Sequence, residues 1–193
     1  MTTKAPIYAA MPDAELVRRL IGHRTAQKLY RGTLAPLFST SDGNPEPPER
    51  CLVARELVKR WLGEELERGP ALSSPTAVRD LLRIHFAGQQ YESFVTLFLD
   101  AQHRLIATEE SFRGTLTQTS VYPREIVRAA LKHNAAAVIF SHNHPSGIAE
   151  PSRADEALTS ALKQALALVD VRVLDHFVVA SSSVLSFAER GLL

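Results

Sequence analysis

AAAVIFSHNHPSGIAEPSRAD, residues 135–155, is the stretch that decides the fold. Its first part, AAAVIFS at 135–141, is a short apolar run that is typical of a buried central strand. PSG at 145–147 then predicts a turn, where glycine adopts backbone angles that other residues avoid. A helix is expected over about 153–168. The stretch as a whole therefore predicts a strand, a turn and a helix.

Two histidines, His142 and His144, stand at the end of this strand. Side chains alternate along a strand, so residues i and i+2 point to the same face, and two imidazoles placed in this way can chelate one metal. Asp155 falls in the first turn of the following helix, so the loop brings a carboxylate back over the strand end. Two histidines and one carboxylate leave a fourth position for water, which is the pattern of catalytic zinc. Iron(II) uses a similar triad, so the ligand types leave both metals open.

A second interpretation of the same segment needs no metal. Ser152 and Asp155 have the spacing of a capping box, in which the serine hydroxyl and the carboxylate each bind a backbone amide at the start of a helix. This interpretation explains these two residues but not the two histidines that precede them. The two roles of Ser152 are compatible with each other.

Further strands and helices are predicted on both sides of this segment. ESFVTLFLD at 92–100 has apolar residues on both faces and predicts a strand buried on both sides, with RLIATEESF at 104–112 as its antiparallel partner. Helices are predicted at 76–89 and 123–134, and a last long strand at 171–181. This order of elements predicts a mixed α/β sheet with helices packed against it.

The N-terminal part of the chain predicts a separate helical region. Short helices over 13–38 and an amphipathic helix over 51–67 are joined by a polar, proline-rich loop at 39–50. GPALSSP follows as a linker. We therefore predict a helical N-terminal region over 1–70 and an α/β domain over 75–193.

The composition excludes several classes of protein. The chain has 193 residues, a net charge of +1 and one cysteine, Cys51. A disulfide within the chain and a cysteine-rich zinc site are therefore excluded, and Cys51 is expected to be a small buried residue. No run approaches the ~20 apolar residues of a membrane span. The small net charge gives no field that would draw the chain to nucleic acid or membrane, so we expect a cytoplasmic protein without membrane contact.

The spacing His-x-His, seven residues, Ser, two residues, Asp resembles the JAMM (MPN-plus) motif, filled here by His142, His144, Ser152 and Asp155. Within that superfamily, HNHPSG, PSRAD and the later LDH resemble the bacterial RadC family, over about residues 75–193. The resemblance implies a three-layer mixed-sheet sandwich of the JAMM/MPN type, which is similar to cytidine deaminases, with Zn2+ as cofactor. It also implies a metallohydrolase, expected to be a metallopeptidase that cleaves a peptide or isopeptide amide.

The resemblance further implies roles for individual residues. A glutamate at the start of the first strand of the domain would hold the nucleophilic water and move its proton, and Glu92 stands at that position. Ser152 would donate to the oxyanion of the tetrahedral intermediate. Two rivals to Glu92 are left open, Glu109 and Glu110 at the end of the second strand. The plainer interpretation of Glu92 is a solvated residue at a strand entrance.

Asp175 and His176 belong to the LDH of the same resemblance. Because neighbours on a strand face opposite sides of the sheet, the two side chains are not expected to enter one site together. Structural hydrogen bonds are the favoured role for this pair.

The partners of the chain are the least determined property. In RadC-like proteins a helix-hairpin-helix-like module precedes the JAMM domain, and residues 1–70 occupy its place as a degenerate form that lacks the Gly-x-Gly turn. Their positive and negative side chains nearly balance, so direct nucleic-acid binding is unsupported, although the resemblance carries the label of a DNA repair protein. The alternative function is therefore a DNA-repair-associated or protein-binding module with a non-catalytic metal site. An enzyme would act on a peptide or protein substrate that the sequence does not name.

Overall fold

A computed structural model of the chain describes residues 8, 10–38, 46–69, 75–114, 121–181 and 183–193. The chain divides into two compact units, Met1–Val58 and Lys59–Leu193. Most of the predicted loop at 39–50 and of the predicted linker lies outside the described residues, so the predicted domain boundary stays a prediction. None of the described helices is long and apolar enough to cross a membrane.

The first unit is helical, as its sequence predicts. It contains α1 (Asp13–Ile21), α2 (His23–Leu29), α3 (Ala35–Phe38) and the beginning of α4 (Glu49–Arg68). A small apolar core joins these helices: Val17, Ile21, Ala26, Leu29, Leu37 and Cys51. Cys51 is fully buried, which confirms the expectation of a small core residue, and its burial raises the pKa of the thiol.

The second unit contains every strand and helix predicted for it, together with two short elements that were not predicted. Its elements after α4 are α5 (Pro75–Phe86), β1 (Ser93–Leu99), β2 (Leu105–Arg113), α6 (Pro123–Lys132), β3 (Ala137–Asn143), α7 (Arg153–Ala167), β4 (Arg172–Val179), β5 (Val184–Ser186) and α8 (Phe187–Arg190). The five strands form one sheet in the order β2-β1-β3-β4-β5. β3 and β4 run parallel, and the other neighbouring pairs are antiparallel. The mixed α/β class is therefore confirmed.

Helices cover both faces of this sheet, because its central strands are apolar on both sides. On β1, Val95 and Leu97 face a core that includes α5 and the end of α4, whereas Phe94 and Phe98 face a core that includes α6 and α7. All seven residues of β1 and all seven of β3 are buried. Helix, sheet and helix thus form three layers within this unit, as the sequence predicts.

The end of β3 lies at the centre of the sheet, between β1 and β4. His142 pairs with Phe94 on one side and with Val178 on the other, and the backbone of His144 donates to Val179 O at 2.8 Å. The chain then turns at Gly147, whose φ is +85°. A residue with a side chain would be strained in this backbone conformation. This turn returns the chain to α7, on the face of the sheet that even-numbered residues of β3 share.

β5 and α8 are held to β4 by a buried carboxylate. Oδ1 of Asp175 accepts from the backbone amides of His176 at 2.7 Å and Ala188 at 3.0 Å, and Oδ2 accepts from the Ser186 hydroxyl at 2.6 Å. Burial raises the pKa of Asp175 in spite of these three hydrogen bonds. Three and four residues are too short for a detectable hydrophobic period, so β5 and α8 were missed from the sequence.

Replacement of Asp175 by alanine is expected to lower the free energy of unfolding by about 3–4 kcal/mol, because three donors, one of them only partly buried, lose their acceptor at ~1 kcal/mol or more each. Asp175→Asn should stay within about 1 kcal/mol of the wild type, since the amide accepts through its oxygen and donates to Ser186 through its nitrogen. Denaturant unfolding of the two variants at pH 7 measures the difference. Equal losses in both variants would contradict this account.

The stability of the wild type and of Asp175→Asn can also be compared as a function of pH. The pKa of Asp175 in the folded protein lies above its ordinary value of 3.8, so the folded protein binds the proton more tightly than the unfolded chain. The stability of the wild type relative to Asp175→Asn is therefore fully present below pH 3.8 and falls as the pH rises through the raised pKa. Denaturant unfolding from pH 3 upward checks the sign of this change.

Candidate metal centre

Four side chains that the sequence singled out converge at the end of β3. Glu92, His142, His144 and Asp155 each offer one ligand atom, and these atoms all lie within 4.8 Å of one another. Glu92 directly precedes β1, and Asp155 lies in the first turn of α7. The structure thus brings the candidate ligands and the candidate base together, while their roles stay predictions.

The two imidazoles face each other through the same type of nitrogen. His142 Nε2 lies 3.0 Å from His144 Nε2 and 3.4 Å from one oxygen of Asp155. The other oxygen of Asp155 lies 3.8 Å from His144 Nε2. His144 Nδ1 lies 2.8 Å from Ile148 O. A carbonyl only accepts, so Nδ1 carries the proton and a neutral His144 presents a bare lone pair at Nε2. Either a proton on His142 Nε2 or a metal ion between the two nitrogens satisfies this lone pair.

Asp155 is anionic in this setting. Burial alone would raise its pKa, but the hydrogen bond and charge of His142 and the two hydrogen bonds of Ser152 hold the pKa well below 3.8. A carboxylate that stays ionised beside two imidazoles is suited to a divalent cation.

The capping box predicted at the start of α7 is present. The Asp155 amide donates to Ser152 Oγ at 3.2 Å, and the Ser152 amide donates to Asp155 Oδ2 at 2.7 Å. The Ser152 hydroxyl also donates to Oδ2 at 2.6 Å. The cap therefore holds one oxygen of Asp155 and leaves the other directed at His142, so capping and ligand geometry coexist. The predicted donation of Ser152 to an oxyanion stays a prediction.

Asn143 is a site residue that sequence reasoning missed. It stands between the two histidines, is 4 % exposed, and points to the opposite face of β3. Its side chain accepts from the Ser93 amide at 2.8 Å and donates to Tyr91 O at 2.9 Å. Asn143 therefore clamps the backbone on both sides of Glu92. The only signal in the sequence is its position within HNH.

The rival carboxylates lie elsewhere. Glu109 is bound to His133 Nε2 at 2.6 Å and to Lys132 Nζ at 3.3 Å, and the hydrogen bond from His133 lowers its pKa. Glu110 is exposed on β2. The carboxylate that joins the two histidines and Asp155 is Glu92, and neither rival belongs to that group.

Asp175 and His176 make structural hydrogen bonds, as favoured from the sequence. Asp175 binds β5 and α8, whereas His176 reaches His142 Nδ1 at 2.8 Å and Thr159 Oγ1 at 2.6 Å on the other face. Burial, followed by the charge of His142, holds the pKa of His176 well below 6.5, so this ring is neutral. The contact with Thr159 has no signal in the sequence, because it joins two elements through tertiary packing.

Comparisons with known proteins identify the family and relatives of the chain. The family model described as RadC-like JAB domain matches residues 72–192. A UPF0758 protein of Nitrosomonas europaea is 56 % identical over 180 residues, which cover 93 % of this chain and 80 % of that protein. A UPF0758 protein of Methylibium petroleiphilum is 60 % identical over 203 residues, which cover 96 % of this chain and 91 % of that protein.

Proposed function

Because the chain belongs to the family of RadC-like JAB domains, we propose that it is a zinc-dependent hydrolase of the JAMM type that cleaves a peptide or isopeptide amide. The observation that carries the proposal is the convergence of two imidazole nitrogens and two carboxylates within 4.8 Å at the end of β3. Strand ends are where open α/β sheets hold their sites.

The residues present fit a zinc ion. His142, His144 and Asp155 would hold it. The two Nε2 atoms are 3.0 Å apart, one oxygen of Asp155 lies 3.4 Å from His142 Nε2, and its other oxygen lies 3.8 Å from His144 Nε2. Ligand atoms at Zn–N and Zn–O bond lengths in a tetrahedron are separated by about 3.3 Å, close to these values. Zinc is preferred to iron(II) because the proposed reaction needs Lewis acidity and no change of oxidation state. A zinc ion at this position supplies a lowered pKa for water, about 7, and polarisation of the amide carbonyl.

The remaining carboxylate, Glu92, is the proposed proton carrier. It takes the proton from the attacking water and delivers it to the nitrogen of the departing amine. The clamp by Asn143 on the neighbouring backbone keeps Glu92 at the entrance of β1. A backbone held in this way limits the positions that the Glu92 carboxylate can take beside the site.

Ser152 is the proposed oxyanion donor. Its hydroxyl now donates to Asp155 Oδ2, but its amide donates to the same oxygen at 2.7 Å. The hydroxyl can therefore turn toward the substrate without leaving that oxygen unpaired. A donor directed at the developing charge stabilises the transition state more than the ground state.

The class of reaction is testable without knowing the substrate. Zinc-loaded and chelator-stripped chain should be incubated with a degenerate peptide mixture and with a lysine isopeptide, in water enriched in oxygen-18. We expect zinc-dependent cleavage that leaves one oxygen-18 atom in the new carboxylate, as read by mass spectrometry.

Protein carrying His144→Ala, purified in the same way, controls for contaminating proteases. An equal extent of cleavage by this variant would show that the activity comes from a contaminating protease and not from the chain. Zinc binding without cleavage of either substrate would count against a peptidase and favour the non-catalytic metal site of the alternative function.

A further inference from the structure

A buried line of hydrogen bonds connects two of the proposed ligands behind the site. His142 Nδ1 lies 2.8 Å from His176 Nε2, His176 Nδ1 lies 2.6 Å from Thr159 Oγ1, and the Thr159 hydroxyl donates to the backbone carbonyl of Asp155 at 2.6 Å. His176 is fully buried and Thr159 is 2 % exposed. The line therefore runs from one ligand on β3, through β4 and α7, to the residue that provides another.

The last member of this line fixes the direction of every bond in it. The carbonyl of Asp155 has no proton, so the Thr159 hydroxyl must donate to it. The single proton of that hydroxyl is then used, and the oxygen accepts from His176 Nδ1–H. A neutral His176 with its proton at Nδ1 has a bare Nε2, which accepts from His142 Nδ1–H. The nitrogen of His142 left to face a metal is then Nε2, which lies beside His144 and Asp155 and carries a proton only when the ring is charged.

We propose that Thr159 and His176 are positioning residues that hold His142 in the tautomer required of a metal ligand. The metal-binding part of this inference rests on the proposed function, whereas the tautomers of the two rings do not. His144 has the matching arrangement, since Ile148 O takes its Nδ1 proton. Two bare Nε2 atoms 3.0 Å apart repel each other unless a cation lies between them.

Within the part of the chain that the structure describes, the surroundings of His176 offer no competing hydrogen-bond partner for its ring. Aromatic rings of Phe94, Phe140 and Phe187 lie at centroid distances of 5.4, 5.9 and 4.6 Å. Both ring nitrogens are occupied, one by His142 and one by Thr159. These three phenylalanine rings exclude water from His176. Loss of either hydrogen bond would therefore leave a buried ring nitrogen without a partner, which is costly.

The tautomer of His176 is measurable by long-range proton–nitrogen NMR on the full chain, with and without zinc. We expect a neutral ring with its proton at Nδ1 in the wild type and in Thr159→Ser, which keeps the hydroxyl. Thr159→Val replaces the hydroxyl by a methyl group of similar size and should release the ring toward the Nε2–H form. A wild-type His176 with its proton at Nε2 would overturn the inference, because that proton would point at His142.

Zinc affinity gives the second readout, by competition with a chelating dye. His176→Phe keeps an aromatic ring and removes the acceptor, and we expect it to weaken zinc binding about 10- to 100-fold, as for other residues that orient a ligating histidine. Thr159→Val should weaken binding, and Thr159→Ser should match the wild type. His176→Gln returns a carbonyl oxygen near the position of Nε2 and should recover part of the loss.

Unfolding of the same variants without metal separates positioning from packing. A positioning role predicts reduced zinc affinity in His176→Phe even where the unfolding midpoint is unchanged. Wild-type affinity in His176→Phe would overturn the inference while leaving the proposed function intact. A wild type that binds no zinc would overturn the proposed function, and the tautomer of His176 would then decide the inference alone.

Discussion

The wild-type chain is expected to bind about one equivalent of zinc, and His142→Ala is expected to lose it. Structural zinc sites bind with ~10–16 kcal/mol shared among four ligands, so loss of one ligand should weaken binding on the order of 10²- to 10³-fold. Plasma mass spectrometry after removal of excess zinc measures the stoichiometry. Asp155→Asn should also weaken binding, while keeping an acceptor for the Ser152 amide and hence the helix cap.

Two controls make this result specific to the site. His23→Ala removes an exposed histidine in α2 that is not part of the four-residue group, and it should keep one equivalent. Addition of zinc at 100 times its dissociation constant should stabilise the wild type by about 2.7 kcal/mol, and Asp155→Asn by less. If the wild type holds no metal even after zinc is supplied, Ser152 and Asp155 act only as the cap of α7.

The strand, turn and helix around residues 135–155 were predictable because each signal is local. Two-residue periodicity places His142 and His144 on one face, and the capping spacing places Asp155 in the first turn of α7. The structure adds that α7 covers this same face, so the loop at 144–152 brings the chain back over the strand end. Local pattern and tertiary packing agree here.

Glu92 was identified from the family resemblance rather than from a local pattern. Its place beside His142 depends on the register of β1 against β3, in which Phe94 lies opposite His142. Register between strands that are far apart in sequence is set by the burial of whole faces, and no short motif encodes it. Glu92 was favoured over the rivals Glu109 and Glu110 by the resemblance alone, and the structure places neither rival in the group formed by Glu92, His142, His144 and Asp155.

The roles of the polar residues behind the site could not be predicted from the sequence, for a different reason. Asn143, Thr159 and His176 act through partners on other elements, and an isolated threonine on a helix carries no signal of its own. Such networks appear only after strands and helices have packed, because burial makes each unpaired group costly. The prediction for Asp175 and His176 was correct in kind, but it did not identify His142 as the partner.

Glu92→Gln is expected to lower zinc-dependent amide hydrolysis about 10²- to 10⁴-fold, the usual contribution of a positioned acid–base residue. Glutamine has nearly the same size and keeps a hydrogen-bonding end, but it does not accept the proton of the attacking water. Zinc content should stay near one equivalent, because His142, His144 and Asp155 are unchanged. Rates of peptide and isopeptide cleavage, measured beside metal content on one preparation, separate loss of chemistry from loss of metal.

Glu110→Gln is the matched control, since it makes the same chemical change at an exposed residue of β2 outside the group. It should leave both turnover and zinc content as in the wild type. Undiminished hydrolysis in Glu92→Gln would assign the proton transfer to another group. Loss of zinc together with hydrolysis would instead make Glu92 a fourth ligand, which would close the position that an attacking water needs and turn the site from a catalytic into a structural one.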